Sequence, residues 1–241
     1  ASLFKFYGIN FIGPRIESSV VSFNKFLTKS YAQSCGVKVL DYIHLHSDQS
    51  IDTPDFPLIV KPVRLGSSIG VSVVKNPQDL QYALDVAFEF DDEVILEPYI
   101  QGVKEYNLAG MKLHGQMVFS TIEEPQKEEF LDFDKKYLDF NRTNSVQSAV
   151  LSDELEKSLK NNFEKIYNSY FEGSIIRCDF FVIDNQVYLN EINPIPGSMA
   201  NYLFEDFETK LIQMIDCLPL EQHIPINYEY VNKIHSAKGK L

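Results

Sequence analysis

The stretch IIRCDFFVIDNQVYLNEINPIPG, residues 175–197, decides how we expect the chain to fold. Two apolar runs flank Asp184 and Asn185, a residue pair that is typical of a tight turn between two strands. Alternation along a strand places residues i and i+2 on one face, so Glu191 and Asn193 point the same way. Two prolines and a glycine then end the strand. The stretch therefore predicts a hairpin that ends by aiming two oxygen ligands at one point.

The first strand of this hairpin adds a second pair of polar residues, Arg177 and Asp179, which also share a face. One interpretation is that Arg177 and Asp179 simply form an ion pair on the surface. If the turn pairs the two strands, however, Asp179 comes close to Glu191, and two adjacent carboxylates repel unless a cation lies between them. Two carboxylates and an amide suit Mg²⁺, whereas zinc or copper would favour thiols or imidazoles. The hairpin therefore predicts a magnesium site that holds phosphate.

The composition is that of a globular protein, and the cysteine pattern predicts a reducing, cytoplasmic environment. The 241 residues are 44% hydrophobic and 23% charged, and the formal net charge of −12 argues against a nucleic-acid partner. Three widely spaced cysteines make neither a disulfide framework nor a zinc pattern. No apolar run approaches the ~20 residues that span a bilayer, so we expect no membrane partner.

Helical and strand patterns mix without a regular βαβ order, which predicts an α+β fold in two lobes. We assign residues 14–96 to the first lobe and 97–241 to the second. Residues 18–36 have apolar positions at helical spacing and predict one helix. The polar, aromatic segment 125–145 predicts a long functional loop or lid.

A glycine-rich segment, KPVRLGSSIG at residues 61–70, follows a predicted buried strand. Lys61 stands at the end of that strand, and Ser67 and Ser68 lie between two glycines that would let backbone N–H groups approach an anion. A plain hairpin tip is the alternative. The segment also matches G-x-S-x-G, but a hydrolase nucleophile elbow needs a helix next, and VSVVK is strand-prone.

Two further patterns carry weaker signals. EVILEPYI leaves a predicted strand through a proline at the junction of the lobes, where Tyr99 and Ile100 could read an adenine edge and Glu105 could bind ribose. A simple linker is the alternative. His44 and His46 could form a metal-binding pair on one strand face, but the sequence offers no evident third ligand.

Together these segments resemble the D-alanine–D-alanine ligases of the ATP-grasp superfamily. The resemblance runs in order from GINFIGPRIESSVVSFNKFLTK through VKPVRLGSSIGVSVV, EVILEPYI, FDKKYL and IIRCDFFV to YLNEINPIPGS, nearly the whole chain. It implies two lobes that clasp ATP between antiparallel sheets and join two D-alanines through an acyl phosphate, for peptidoglycan synthesis. Another carboxylate–amine ligase and a nucleotide-binding module without turnover remain alternatives. Nothing corresponds to the family's N-terminal domain, so we expect residues 1–13 to be its remnant.

The resemblance also implies roles for individual residues. Lys25 and Lys61 would hold the ATP phosphates together with Ser67 and Ser68, and Lys136 would close over the γ-phosphate. Asp179, Glu191 and Asn193 would hold two Mg²⁺ ions, for which Mn²⁺ could substitute. The remaining assignments are adenosine contacts at Glu97, Tyr99, Ile100 and Glu105, a hydrogen-bond network near the first D-alanine at Ser67 and Tyr137, and an oxyanion site at Arg177 and the N–H of Gly197. Tyr202 and Leu203 would meet the second D-alanine, at a place where the family usually has a small hydroxyl residue before the leucine. Homodimers are common in the family.

Overall fold

The computed structural model describes residues 1–51, 54–125 and 148–238. The helices are α1 (Ser2–Tyr7), α2 (Ile16–Phe23), α3 (Lys25–Ser34), α4 (Leu80–Phe88), α5 (Asp153–Tyr167), α6 (Phe207–Asp216) and α7 (Glu229–Lys238). The strands are β1 (Ile43–His46), β2 (Leu58–Pro62), β3 (Ser72–Val74), β4 (Glu93–Pro98), β5 (Lys104–Leu113), β6 (Gln116–Phe119), β7 (Ile176–Ile183) and β8 (Gln186–Asn193). Short 3-10 segments cover Pro77–Asp79, Ser169–Phe171 and Gly197–Leu203.

The strands form two antiparallel sheets, and this confirms the predicted α+β class. The first sheet has the order β1-β4-β2-β3, and one of its faces packs against α4. Alternate residues of its strands, such as Leu45, Val60 and Leu96, form the core on that face. The opposite face carries Lys61, Glu93 and Glu97, since these residues alternate with the core positions.

The second sheet has the order β6-β5-β7-β8 and is covered on both faces. One face packs its apolar residues, including Leu108 and Phe180, against Leu159 and Phe163 of α5. The other packs Met111 against Met214 of α6 and the 3-10 segment Gly197–Leu203. Because both faces are buried, the strands β5 and β7 are mostly apolar, and a polar side chain on them must find a partner.

The single helix predicted over residues 18–36 is wrong, because the chain forms α2 and α3 with a break at Asn24. Asn24 adopts an extended backbone conformation, and its side-chain oxygen accepts a hydrogen bond from the N–H of Leu27 at 2.9 Å. An asparagine that binds the backbone locally competes with the continuing helix and favours an N-cap. The break sets the start of α3 beside β2, where the N–H of Lys25 donates to the carbonyl of Val63 at 3.0 Å.

The start of the chain also contributes to the second sheet. Ala32, Val37 and Val39 lie in the core between that sheet and α5, and the N–H of Leu189 donates to the carbonyl of Lys38 at 2.8 Å. The lobe boundaries at residues 14–96 and 97–241 therefore stay a prediction. Part of the segment assigned to the first lobe packs against the sheet of the second. Among the described residues, every helix is too short or too polar to cross a membrane.

Candidate functional site

The hairpin of β7 and β8 brings two carboxylates face to face. Asp179 stands opposite Glu191 and Arg177 opposite Asn193, so the predicted proximity of Asp179 and Glu191 is confirmed. The amide Nδ2 of Asn193 donates to Asp179 Oδ2 at 3.0 Å and to Glu191 Oε1 at 3.3 Å. The register shifts directly after Asp179, where a β-bulge re-aims the strand, as bulges beside functional sites often do.

The surroundings shift the pKa values of the two carboxylates in opposite directions. Burial, followed by the neighbouring Glu191, raises the pKa of Asp179 to about 8 even though Arg177 lowers it. Burial also raises the pKa of Glu191, but hydrogen bonds with Asp179 and Asn193 and the charges of Lys25 and Lys61 lower it overall. The pair therefore retains one proton near neutral pH. A divalent cation would replace that proton and draw the amide oxygen of Asn193 inward, so the donor set fits Mg²⁺.

Arg177 connects this pair to the segment after β8. Its Nε and Nη2 donate to the two carboxylate oxygens of Asp179 at 2.7 and 2.8 Å, and its Nη1 lies 3.4 Å from the hydroxyl of Tyr202. Tyr202 is 45% exposed, so it is not a core residue, and its place in the site stays a prediction. Leu203 is buried in the core, and its carbonyl accepts a hydrogen bond from the N–H of Thr121. Leu203 can therefore meet a ligand only through its backbone.

The turn that follows Pro196 has an unusual backbone. Ser198, Met199 and Ala200 all adopt left-handed conformations, with φ between 51° and 53°. Such a conformation costs a non-glycine residue about 1–2 kcal/mol, and runs of it occur where the surrounding structure holds the chain in place. A side chain added at Gly197 would meet nothing within 4 Å, so its backbone borders open space. Gly197 itself is exposed, and its assignment to the oxyanion site stays a prediction.

A second charged cluster lies on the first sheet. Glu97 on β4 is 3% exposed and lies between two lysines, with its Oε2 2.6 Å from Lys61 Nζ and its Oε1 paired with Lys29. Burial raises the pKa of Glu97, but the charges of Lys61 and Lys29 outweigh burial and lower it to about 2. Sequence reasoning missed Lys29. Its signal is the spacing from Lys25, since residues four apart share one face of α3.

Lys25 links the lysine cluster to the carboxylate pair. Its Nζ donates to the carbonyl of Pro62 at 3.0 Å and to the carbonyl of Leu65, and burial lowers its pKa to about 8. A cleft of about 500 Å³ lies beside α2 and the start of α3, and Lys25, Gly66, Glu191 and Asn193 are in its walls. The structure thus brings one predicted phosphate ligand, Lys25, and two predicted metal ligands, Glu191 and Asn193, to one space.

The glycine-rich loop borders the same cleft. Ser67 and Ser68 adopt left-handed conformations with φ of 58° and 59°, and the chain continues directly into strand β3. A nucleophile elbow would need a helix at this point, so the strand excludes that alternative. Leu65 and Gly66, at the start of the loop, line the cleft, and the phosphate-binding role of Ser67 and Ser68 stays a prediction.

The geometry gives less support to the predicted adenosine contacts. The N–H of Tyr99 already donates to the carbonyl of Pro57 at 3.0 Å, so this group is not free to read a base, as the sequence had suggested. The carbonyl of Ile100 accepts from the N–H of Val103 at 3.3 Å, and Glu105 stands opposite Phe181 on β5. These adenosine roles, including that of Glu97, stay predictions. Lys136 and Tyr137 lie outside the described residues.

Two four-stranded antiparallel sheets, with a cleft that has Lys25, Glu191 and Asn193 in its walls, agree with the ATP-grasp class of ligases. A comparison with protein families matches residues 32–210 to the family described as "D-ala D-ala ligase C-terminus". A D-alanine–D-alanine ligase of Wolinella succinogenes is 61% identical over 241 residues, which cover 100% of this chain and 70% of that protein. The chain therefore belongs to the D-alanine–D-alanine ligase family, a family of ADP-forming ligases.

Solved structures agree with this assignment. The crystal structure of the D-alanine–D-alanine ligase from Helicobacter pylori matches with a TM-score of 0.79 and 53% identity, over 92% of this chain and 66% of that one. The ligase from Bacillus anthracis complexed with ATP matches with a TM-score of 0.69 over 89% of this chain and 72% of that one. At 22% identity, the second match supports the fold alone.

Proposed function

We propose that this protein uses ATP to join two D-alanines into D-alanyl-D-alanine, a precursor of peptidoglycan. The observation that carries the proposal is the cleft that has Lys25, Glu191 and Asn193 in its walls, with Asp179 directly opposite Glu191 on the neighbouring strand. Family membership supplies the reaction class. We assign the protein to the cytoplasm, where ATP is available. Its proposed substrates are ATP and D-alanine, and its proposed oligomeric state is a homodimer.

The first half of the proposed reaction activates a carboxylate. A carboxylate is a poor acyl donor, so an oxygen of the first D-alanine attacks the γ-phosphorus of ATP, the bond to the β-γ bridging oxygen breaks, and ADP leaves. The product is an acyl phosphate with a good leaving group. Lys25 and Lys61 are assigned to the phosphates, and Lys136 is assigned to the γ-phosphate. Such positioned cations contribute most of the catalysis in phosphoryl transfer.

Asp179, Glu191 and Asn193 would hold up to two Mg²⁺ ions, or Mn²⁺ in their place. The ion neutralises charge on the phosphates when it is bound. The buried carboxylate pair supports this assignment, because it retains a proton where a cation would satisfy both charges. Asp179 also fixes the guanidinium of Arg177 through two hydrogen bonds, so one residue orders both the metal ligand set and the neighbouring cation.

The second half of the proposed reaction forms the peptide bond. The amine of the second D-alanine attacks the acyl carbon, and the tetrahedral intermediate carries an oxyanion. Inorganic phosphate then leaves with the electrons of the broken C–O bond, and the attacking nitrogen releases one proton. Arg177 and the N–H of Gly197 are assigned to that oxyanion, and aimed donors of this kind contribute roughly 3–4 kcal/mol each. Ser67 and Tyr137 are assigned to the network near the first D-alanine. Tyr202 and the backbone of Leu203 are assigned to the second.

The direct test is ADP formation with a panel of amino and hydroxy acids, with mass spectrometry of the product. D-alanine alone should give ADP and D-alanyl-D-alanine in equal amounts. The variants Asp179→Asn and Lys61→Ala should lose most of this activity, whereas Lys75→Ala, at an exposed residue after β3, should retain it. ADP formation with other acceptors only would indicate a different carboxylate–amine ligase. ATP binding without any product would indicate a binding module and refute the proposal.

A further inference from the structure

Two histidines and a glutamate converge at the edge of the first sheet, away from the proposed catalytic cleft. His44 and His46 lie on one face of the edge strand β1, and Glu93 stands directly opposite His46 on β4. One ligand atom from each of the three side chains lies within 4.8 Å of the other two, and His44 Nε2 is 2.6 Å from Glu93 Oε2. The strand pairing thus supplies the third ligand that the sequence alone did not reveal.

The neighbouring side chains hold the three ligands in place. The ring of His44 stacks on Phe26 with a centroid distance of 4.3 Å and an angle of 14°, which fixes its plane. Arg64 Nη2 lies 3.1 Å from Glu93 Oε1, so it leaves Oε2 facing His44. Outer partners that orient a ligand in this way are a regular part of metal sites. His46 is exposed and can rotate to close the remaining gap.

The local charge favours a cation at this position. Asp91, Asp92 and Glu93 all pair with the single guanidinium of Arg64, so these groups together carry an excess of negative charge. In the part of the chain that the structure describes, no other lysine or arginine forms an ion pair with these three carboxylates. A divalent ion bound by neutral imidazoles would therefore relieve repulsion among the carboxylates.

The ligand types select a different metal from the one expected in the cleft. Two imidazoles and one carboxylate suit zinc and the other late first-row divalent metals, whereas magnesium prefers oxygen ligands alone. A tetrahedral zinc ion holds its ligands about 3.3 Å apart, which the three side chains reach with small rotations. The two sites lie on different sheets. Glu93 is also about 13 Å along β4 from Glu97, the carboxylate that pairs with Lys29 and Lys61.

We propose that His44, His46 and Glu93 form a binding site for Zn²⁺ or a related late first-row divalent metal, separate from the catalytic magnesium site. The site is open to solvent through His46 and leaves at least one coordination position for water. Its ion ties the edge strand β1 to β4 and, through the stack of Phe26 on His44, to the start of α3. Binding to the folded state alone raises thermal stability by mass action.

The test is a titration of the whole protein with Zn²⁺, and with Co²⁺ as a coloured probe, in excess Mg²⁺. The parent should bind one ion with a rise in Tm, and Co²⁺ should give visible absorption bands of a four- or five-coordinate site. His46→Ala and Glu93→Gln should each weaken binding about tenfold or more. His235→Ala, at an exposed histidine of α7, should bind like the parent, and circular dichroism should show that all variants fold.

Several outcomes would overturn the proposal. These are an absence of Zn²⁺ binding by the parent, equal affinity in the parent and His46→Ala, or loss of binding in Asp179→Asn in place of the His46 and Glu93 variants. The last result would place the ion at the carboxylate pair of the catalytic cleft. Because the side chain of His46 is exposed, its replacement should leave the fold intact.

Discussion

Glu97 keeps its charge inside the protein because two lysines face it. Replacing it by glutamine leaves Lys29 and Lys61 without their common partner, and its pKa of about 2 corresponds to about 3 kcal/mol of stability near neutral pH. We expect Glu97→Gln to lower the free energy of unfolding by about that amount, measured by urea unfolding at pH 7. The contribution is present above the unfolded pKa of about 4.5 and is lost as the pH falls toward 2. The difference between parent and variant should shrink accordingly.

A matched control is Glu172→Gln. Glu172 also pairs with a lysine, Lys112 at 2.8 Å, but its side chain is 42% exposed. Exposed pairs contribute at most about 1 kcal/mol, so this variant should change stability little at any pH. Equal losses in the two variants would show that the buried position of Glu97 adds nothing.

Tyr202 places an aromatic ring where the family usually has a small hydroxyl residue. Its hydroxyl lies 3.4 Å from Arg177 Nη1, so the ring extends toward the place assigned to the second D-alanine. We expect Tyr202→Ser to lower the KM for the second D-alanine at saturating ATP, because the ring no longer occupies part of that pocket. Steady-state ADP release over a range of D-alanine concentrations measures this effect.

Tyr202→Phe separates the ring from the hydroxyl. If crowding by the ring limits binding, phenylalanine should leave this KM near that of the parent. If the hydroxyl itself holds the substrate carboxylate, phenylalanine should raise KM, and serine should not lower it. The second pattern would contradict the crowding hypothesis.

The glycine-rich element between β2 and β3 depends on Gly70. Its φ is +68°, and an added Cβ would lie 2.8 Å from both Pro62 Cγ and Phe90 Cδ2. Backbone strain of about 1 kcal/mol and overpacking of about 1–3 kcal/mol should therefore act together in Gly70→Ala. We expect a lower free energy of unfolding and weaker ATP binding by calorimetry, because the loop with Ser67 and Ser68 must move.

Gly102→Ala isolates the strain from the clash. Gly102 has a similar φ of +72°, but an added Cβ would meet nothing within 4 Å. This variant should lose only about 1 kcal/mol and keep the parent's ATP affinity. A Gly70→Ala variant that behaves no worse than Gly102→Ala would show that the packing of the loop is unimportant for nucleotide binding.

Local patterns predicted some elements well and others not at all. Strand alternation and the Asp184–Asn185 turn were enough to place Asp179 opposite Glu191, because the pairing follows from a short hairpin. The break at Asn24 was missed because the apolar spacing continues across it. The pairing of Glu93 with His46 and of Lys29 with Glu97 depends on strands and helices far apart in the sequence. Periodicity carries no information about such contacts.

At the scale of the whole molecule, α3 joins the two sheets. Its first residue bonds to Val63 after β2, and Ala32 near its end lies in the core of the second sheet. We expect the two sheets to unfold in one cooperative transition. Hydrogen exchange should therefore give the slowest amides of β2 and β5 the same free energy of opening. Clearly slower exchange in one sheet would show that the two lobes unfold independently.

The hydrogen bond from Leu189 to Lys38 has a consequence for synthesis on the ribosome. Residues 37–39 leave the ribosome early, but the strand and core that cover them are complete only after β8 has been made. During translation the apolar end of α3 therefore stays uncovered until β7 and β8 have been made. Contacts of such high sequence separation slow folding and expose the nascent chain to aggregation. The late-made hairpin that carries the proposed metal ligands thus also completes the core around the end of α3.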